Sequence, residues 1–140
     1  GGIGEYFDAV HAHHFPGANI GASERLGQVY DLFTAHEQVL SDRVEAFLKS
    51  NPAIRLAGPG ANGRERVGVF SFVIDGRLSS EIPEKLRAEK IGLYAGDFYA
   101  ARCIDALGAR DQHGFVRASL VHYNSANDVE RFIEQLDSMI

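Results

Sequence analysis

The side chains able to do chemistry are few, and most sit in settings that argue against it. His11, His13 and His14 crowd one short segment. On a helix His11 and His14 share a face and could fill two coordination positions of a metal. No cysteine lies near and a third ligand would have to come from elsewhere, so the cluster reads as a polar face at a domain edge, with no metal. Gly58-Pro59-Gly60-Ala61-Asn62-Gly63 has the glycine density of a phosphate loop. It lacks the Lys-Ser/Thr that follows such a loop and it enters a strand, not a helix, so it reads as a connection. Cys103, the single cysteine, lies beside Ile104 and Leu107 in an amphipathic pattern and reads as a small buried hydrophobe, not a nucleophile. The lysines are Lys49, Lys85 and Lys90. Each stands among Glu and Arg with nothing to desolvate its amine, so none reads as a Schiff-base lysine.

Arg117 differs. It is a cation inside an alternating strand pattern, followed by Ser119 and by His122-Tyr123-Asn124 at the strand's end. Its planar guanidinium offers a fixed fork for a carboxylate or a phosphate. On pattern alone, a structural ion pair and a ligand site account for it equally well.

The elements that must position these groups follow from periodicity. Ile3, Phe7 and Val10 give a short helix that Pro16-Gly17 breaks. A long helix runs from an N-cap at Ser23 to Ser50 with one apolar stripe, and Asn51-Pro52 stops it. Ile54 to Leu56 and Val67 to Ile74 read as strands, and Asp75-Gly76 turns the second. Ser79 or Ser80 caps a helix with Ile82, Leu86 and Ile91, and Pro83 is tolerated in its first turn. Gly92 to Ala95 forms a short strand, Phe98 to Leu107 a helix ended by Gly108, and Phe115 to His122 a strand. Ser125 caps the last helix. The order α-α-β-β-α-β-α-β-α predicts an α/β (α+β) two-layer fold: a mainly antiparallel sheet of about four strands covered by helices on one face.

A chain of 140 residues with 45% apolar and 24% charged residues is one ordinary globular domain's worth of polypeptide. One cysteine excludes an internal disulfide. A net charge of -5 argues against nucleic acid as a partner. No apolar run is long enough for a membrane span. The chain opens Gly1-Gly2-Ile3 without an initiator Met, which suggests a processed or cut piece.

Val116-Arg117-Ala118-Ser119-Leu120-Val121-His122-Tyr123-Asn124-Ser125, with Asp128-Val129-Glu130-Arg131 after it, resembles the C-terminal signature of class V aminotransferases, closest to their cysteine desulfurase branch. Leu56-Ala57-Gly58-Pro59, Val67 to Phe72 and Ile91 to Gly96 fall in that family's order and spacing, and the helix from Ser23 to Ser50 fits its long interdomain helix. The likeness covers nearly the whole chain, but only the Arg117 block is specific. It implies a small C-terminal domain, residues 23–140, preceded by a linker and short helix over residues 1–22 that leave an absent large domain. It further implies a cytoplasmic, homodimeric parent dependent on pyridoxal 5'-phosphate and acting on an amino acid, whose cofactor-holding lysine lies upstream. The fragment alone would be inactive and would bind no cofactor covalently. Arg117 falls on the arginine that binds the substrate's α-carboxylate. Tyr99, in Gly96-Asp97-Phe98-Tyr99-Ala100, falls where desulfurases carry their nucleophilic cysteine in a Gly-His-His-Cys-Ala context. That departure puts desulfurase activity in doubt. The alternatives are a free-standing α/β module holding a small carboxylate with Arg117, or a dimerisation domain built on the long helix.

Overall fold

The computed structural model describes residues 1–58 and 67–140. The phosphate-loop-like stretch, apart from Gly58, lies outside them. Among the described residues the elements follow the expected order: α1 (Gly2–His14), α2 (Ala22–Ser50), β1 (Ile54–Leu56), β2 (Val69–Ile74), α3 (Glu81–Ala88), β3 (Tyr94–Gly96), α4 (Ala101–Ala106), β4 (Phe115–Ser119) and α5 (Ala126–Asp137). The strands form one antiparallel sheet in the order β1-β2-β4-β3.

Alternation along the two central strands decides what each face meets. Phe70, Phe72 and Ile74 of β2 and Val116 and Ala118 of β4 point to one side. They pack there with Leu40, Val44 and Leu48 of α2, Ile82 and Leu86 of α3, and Val129, Phe132, Ile133 and Leu136 of α5. Burial of this set out of water is the main source of stability, at about 25 cal/mol per Å² of apolar surface. The opposite face is covered only in part. Val73 and Phe115 meet Ile104 and Ala109 in a second, small cluster under α4. Arg55 reaches across this face to bond the carbonyls of Leu107 and Gly108 at 2.8 and 2.9 Å, so a cation seals the open C-terminal end of α4.

Several boundaries differ from expectation for local reasons. The N-cap of α2 is Gly21, not Ser23, and no side chain caps it. Arg25 instead anchors the entry through the Ile20 carbonyl and Asp8. Neither Ser79 nor Ser80 caps α3 by its side chain: Ser80 holds the N-cap position without a hydroxyl bond, and the buried Ser79 hydroxyl donates to the Gly114 carbonyl. The helix ends before Ile91. Strand β4 stops at Ser119 because the Asn124 side chain accepts the Val121 N–H and folds the chain into a turn.

Two residues are corrected more substantially. Cys103 is exposed, not buried: on the six-residue α4 only Ile104 turns inward. His11 is not on a polar face. It is 3% exposed, its Nε2 lies 2.9 Å from Gln28 Oε1, and its ring stacks on Phe15 at 5.1 Å. It fastens α1 to α2.

Among the described residues, the start of α5 is the one with a complete side-chain cap. The Ser125 hydroxyl accepts from the Asp128 N–H at 3.2 Å, and Asp128 Oδ2 accepts the Ser125 N–H at 2.9 Å. The Ser125 backbone bond first, and then the Ser125 hydroxyl, hold the Asp128 carboxyl below its ordinary value of 3.8. Because the folded value is the lower one, this contribution is present above 3.8 and is lost as pH falls through the lowered value. In acid titrations of unfolding, Asp128→Ala should therefore lose part of the stability at neutral pH and show a flatter decline below that point. An unchanged acid limb would exclude Asp128 as a contributor. Cys103→Ala should change unfolding free energy by no more than about 0.5 kcal/mol, the range of exposed substitutions; a loss of several times that in denaturant titration would return Cys103 to the core.

Candidate functional site

The uncovered part of the second sheet face displays Arg117. On β4 the burial pattern runs buried, buried, exposed, buried, exposed from Phe115 to Ser119, which puts Arg117 and Ser119 outward. Arg117 stands between Ser71 of β2 and Tyr94 of β3 in the same cross-strand row, and Ser119 pairs with Val69 in the next. Tyr94 is 73% exposed, so the row is open to a partner or a ligand. Among the described residues no carboxylate pairs with Arg117. The guanidinium instead lies over the Phe98 ring, 4.3 Å from its centroid.

Phe98 and Tyr99 belong to a tight turn and not to a helix start, which corrects the expected start of α4. Both have positive φ, 51° and 62°, and the Ala100 N–H donates to the Asp97 carbonyl at 2.8 Å. Two central residues at positive φ with that bond make a type I′ turn, which favours Gly, Asn or Asp over aromatics. Asp97 Oδ1 accepts the Tyr99 N–H at 3.0 Å. The turn's departure from the sheet is fixed by glycines. A Cβ on Gly114 would lie 2.2 Å from the Gly96 carbonyl oxygen, so the two backbones can meet there only with glycine at 114. Tyr99 is fully exposed beside Arg117's aromatic cover.

The segment after β4 is bound to the helices. His122 stacks on Phe33 of α2, with centroids 3.8 Å apart and planes at 10°. Its Nε2 lies 2.8 Å from the Tyr6 hydroxyl of α1, and its Nδ1 lies 4.0 Å from Glu37. His36 donates to the Asn124 carbonyl at 2.8 Å. The triplet that the sequence placed next to Arg117 thus holds its strand against α1 and α2.

The other candidates are not brought to this site. His13 and His14 meet each other edge to face on α1, and His11 is committed to Gln28. Among the described residues no cluster of His, Cys, Asp or Glu could hold a metal, and no helix is long and apolar enough to cross a membrane. Sequence reasoning missed Phe98, Ser71 and Tyr94 as neighbours of Arg117. Only strand register could have supplied the last two, and the Gly-Asp before Phe98 was the available sign of a turn.

A four-stranded antiparallel sheet with three helices on one face, and the short α4 and an outward arginine on the other, is an α/β domain of a known kind. The cysteine desulfurase from Thermococcus onnurineus shares the fold with a TM-score of 0.69 at 24% identity, over 85% of this chain and 30% of that one. The chain belongs to the class V aminotransferase family, whose model matches residues 27–132. Among relatives, the aminotransferase-like protein FGM3 of Gibberella zeae is 31% identical over 115 residues, covering 81% of this chain and 29% of that protein. A probable cysteine desulfurase of Mycobacterium leprae is 33% identical over 110 residues, covering 79% of this chain and 17% of its own length. The chain thus spans less than a third of the length of these relatives.

Members of this family depend on pyridoxal phosphate, act on amino acids and are often dimeric. That cofactor needs a lysine amine for its aldehyde and polar partners for its ring and phosphate. The described residues do not fit it. Lys49 is paired with Glu45 at 2.9 Å on α2, and Lys85 and Lys90 are exposed on and just after α3. Mixing the chain with pyridoxal phosphate and reducing with borohydride should therefore give no stoichiometric adduct at a single lysine. A unique modified lysine in the mass spectrum would overturn this.

Proposed function

We propose that this chain is the small C-terminal domain of a pyridoxal-phosphate-dependent, desulfurase-like enzyme acting on an amino acid. In this reading Arg117 binds the substrate's α-carboxylate. Residues 23–140 form the domain, and residues 1–22, with α1 lying along α2, lead in from a large domain that carries the cofactor and its lysine. The chain by itself is inactive. The observation that carries the reading is Arg117 itself: a guanidinium with no ionic partner among the described residues, on the open face of a sheet whose other face is sealed. A structural ion pair would require a carboxylate beside it. A free fork is suited to two parallel bonds to a carboxylate from outside the domain.

Tyr99 occupies the place of the desulfurase cysteine in this reading, and it brings a phenol where sulfur transfer needs a thiolate. Cys103 stands one helical turn further on, on the exposed side of α4. The chemistry supported best is therefore an amino-acid transformation that does not run through a loop thiol, with Arg117 orienting the substrate by its carboxylate.

In the complete protein, Arg117→Ala should weaken amino-acid binding by about two orders of magnitude, since losing a charged partner of a bound ion costs about 2 to 5 kcal/mol. Arg117→Lys should recover only part, because a point charge cannot make the paired bonds. The cofactor's absorption should be unchanged in both. Unfolding of Arg117→Ala with substrate affinity preserved would make the arginine structural.

A further inference from the structure

The Phe98 ring is laid against the Arg117 guanidinium, at 4.3 Å from Cζ to centroid. It is brought there at a conformational cost. Phe98 and Tyr99 both take the left-handed backbone region, which costs a non-glycine residue energy unless something holds it. Here the Asp97 side chain and the i to i+3 bond of the turn hold it. Strained non-glycine pairs of this kind cluster where a side chain must be aimed. A ring over a guanidinium also occupies one face of its plane and leaves the N–H-bearing edge for a ligand, the direction from which a carboxylate makes two parallel bonds.

We propose that Phe98 is a positioning residue for Arg117: its ring, presented by the strained 97–100 turn, fixes the guanidinium plane so that the fork is ready for a carboxylate. This rests on the carboxylate-binding reading of Arg117. The ring's role is to restrict the rotamers of a long, exposed side chain before the ligand arrives, which lowers the ordering cost of binding. An aliphatic residue at 98 would fill space without holding the plane.

The test measures equilibrium binding of L-alanine to the complete protein, with L-alaninamide, which lacks the carboxylate, as the control. The unaltered protein should prefer L-alanine, and Arg117→Ala should abolish that preference. Phe98→Leu should weaken L-alanine binding by about threefold to tenfold, the range of a single cation–π contact, and leave L-alaninamide unaffected. Phe98→Trp should restore affinity. Phe98→Gly, which relieves the positive φ and keeps the turn, should lose affinity as Phe98→Leu does while melting no lower than the unaltered protein. On the Arg117→Ala background, Phe98→Leu should add nothing. If Arg117→Ala abolishes the preference but Phe98→Leu binds L-alanine like the unaltered protein, the positioning role is wrong and the carboxylate reading stands. An effect of Phe98→Leu that persists without Arg117 would mean the ring touches the ligand directly, and would also overturn the proposal. If the unaltered protein shows no preference for L-alanine, or Arg117→Ala leaves the preference intact, the carboxylate reading itself fails.

Discussion

Everything at the open face depends on the register between β2 and β4. Ser71 opposite Arg117 and Phe72 opposite Val116 are consecutive pairs, and they belong to opposite sides of the sheet. A slip of one residue would drive a guanidinium into the cluster of Phe70, Phe72 and Leu48 and put Val116 in water. The cost of burying an unpaired cation makes that alternative inaccessible. The apolar layer therefore does more than hold the domain together. It specifies, to the residue, which side chain of β4 faces outward.

A second constraint ties that strand to the helices. The His122 ring lies flat on Phe33 and within hydrogen-bonding distance of Tyr6, and Tyr6 and Phe7 lie against Phe33. Three segments distant in sequence, α1, α2 and the turn after β4, share one aromatic cluster. α1 is thereby joined to the segment after the strand bearing Arg117 through packed rings. Arg55 of β1 in turn holds the Leu107 and Gly108 carbonyls just after α4.

The order of elements was legible in the sequence because each has its own signal: a long 3.6-residue stripe for α2, β-branched and aromatic runs for β2 and β4, and Ser125 at the start of α5. Arg117 was legible as an outward strand position from the alternation around it. Other features were not, for physical reasons. Phe98 and Tyr99 continue an apolar pattern into α4, and side-chain periodicity carries no record of a backbone at positive φ. Cys103 was placed inside because a small thiol among apolar neighbours usually is, whereas α4 is too short to bury more than Ile104. His11 was placed outside because its burial depends on Gln28 of the next helix, which no spacing within α1 reveals.

The turn at Asp97 to Ala100 separates two demands that usually fall on the same residue. The backbone at position 99 is held by its neighbours, through the Asp97 side chain and the turn's own bond, while its side chain contributes no buried surface. Folding therefore constrains the backbone conformation there far more than it constrains buried side-chain shape. A phenol, a thiol or an imidazole could stand in the same place on the same scaffold with little penalty to the core. The fold thus presents, next to the ring that covers its outward cation, a side chain that the core does not need.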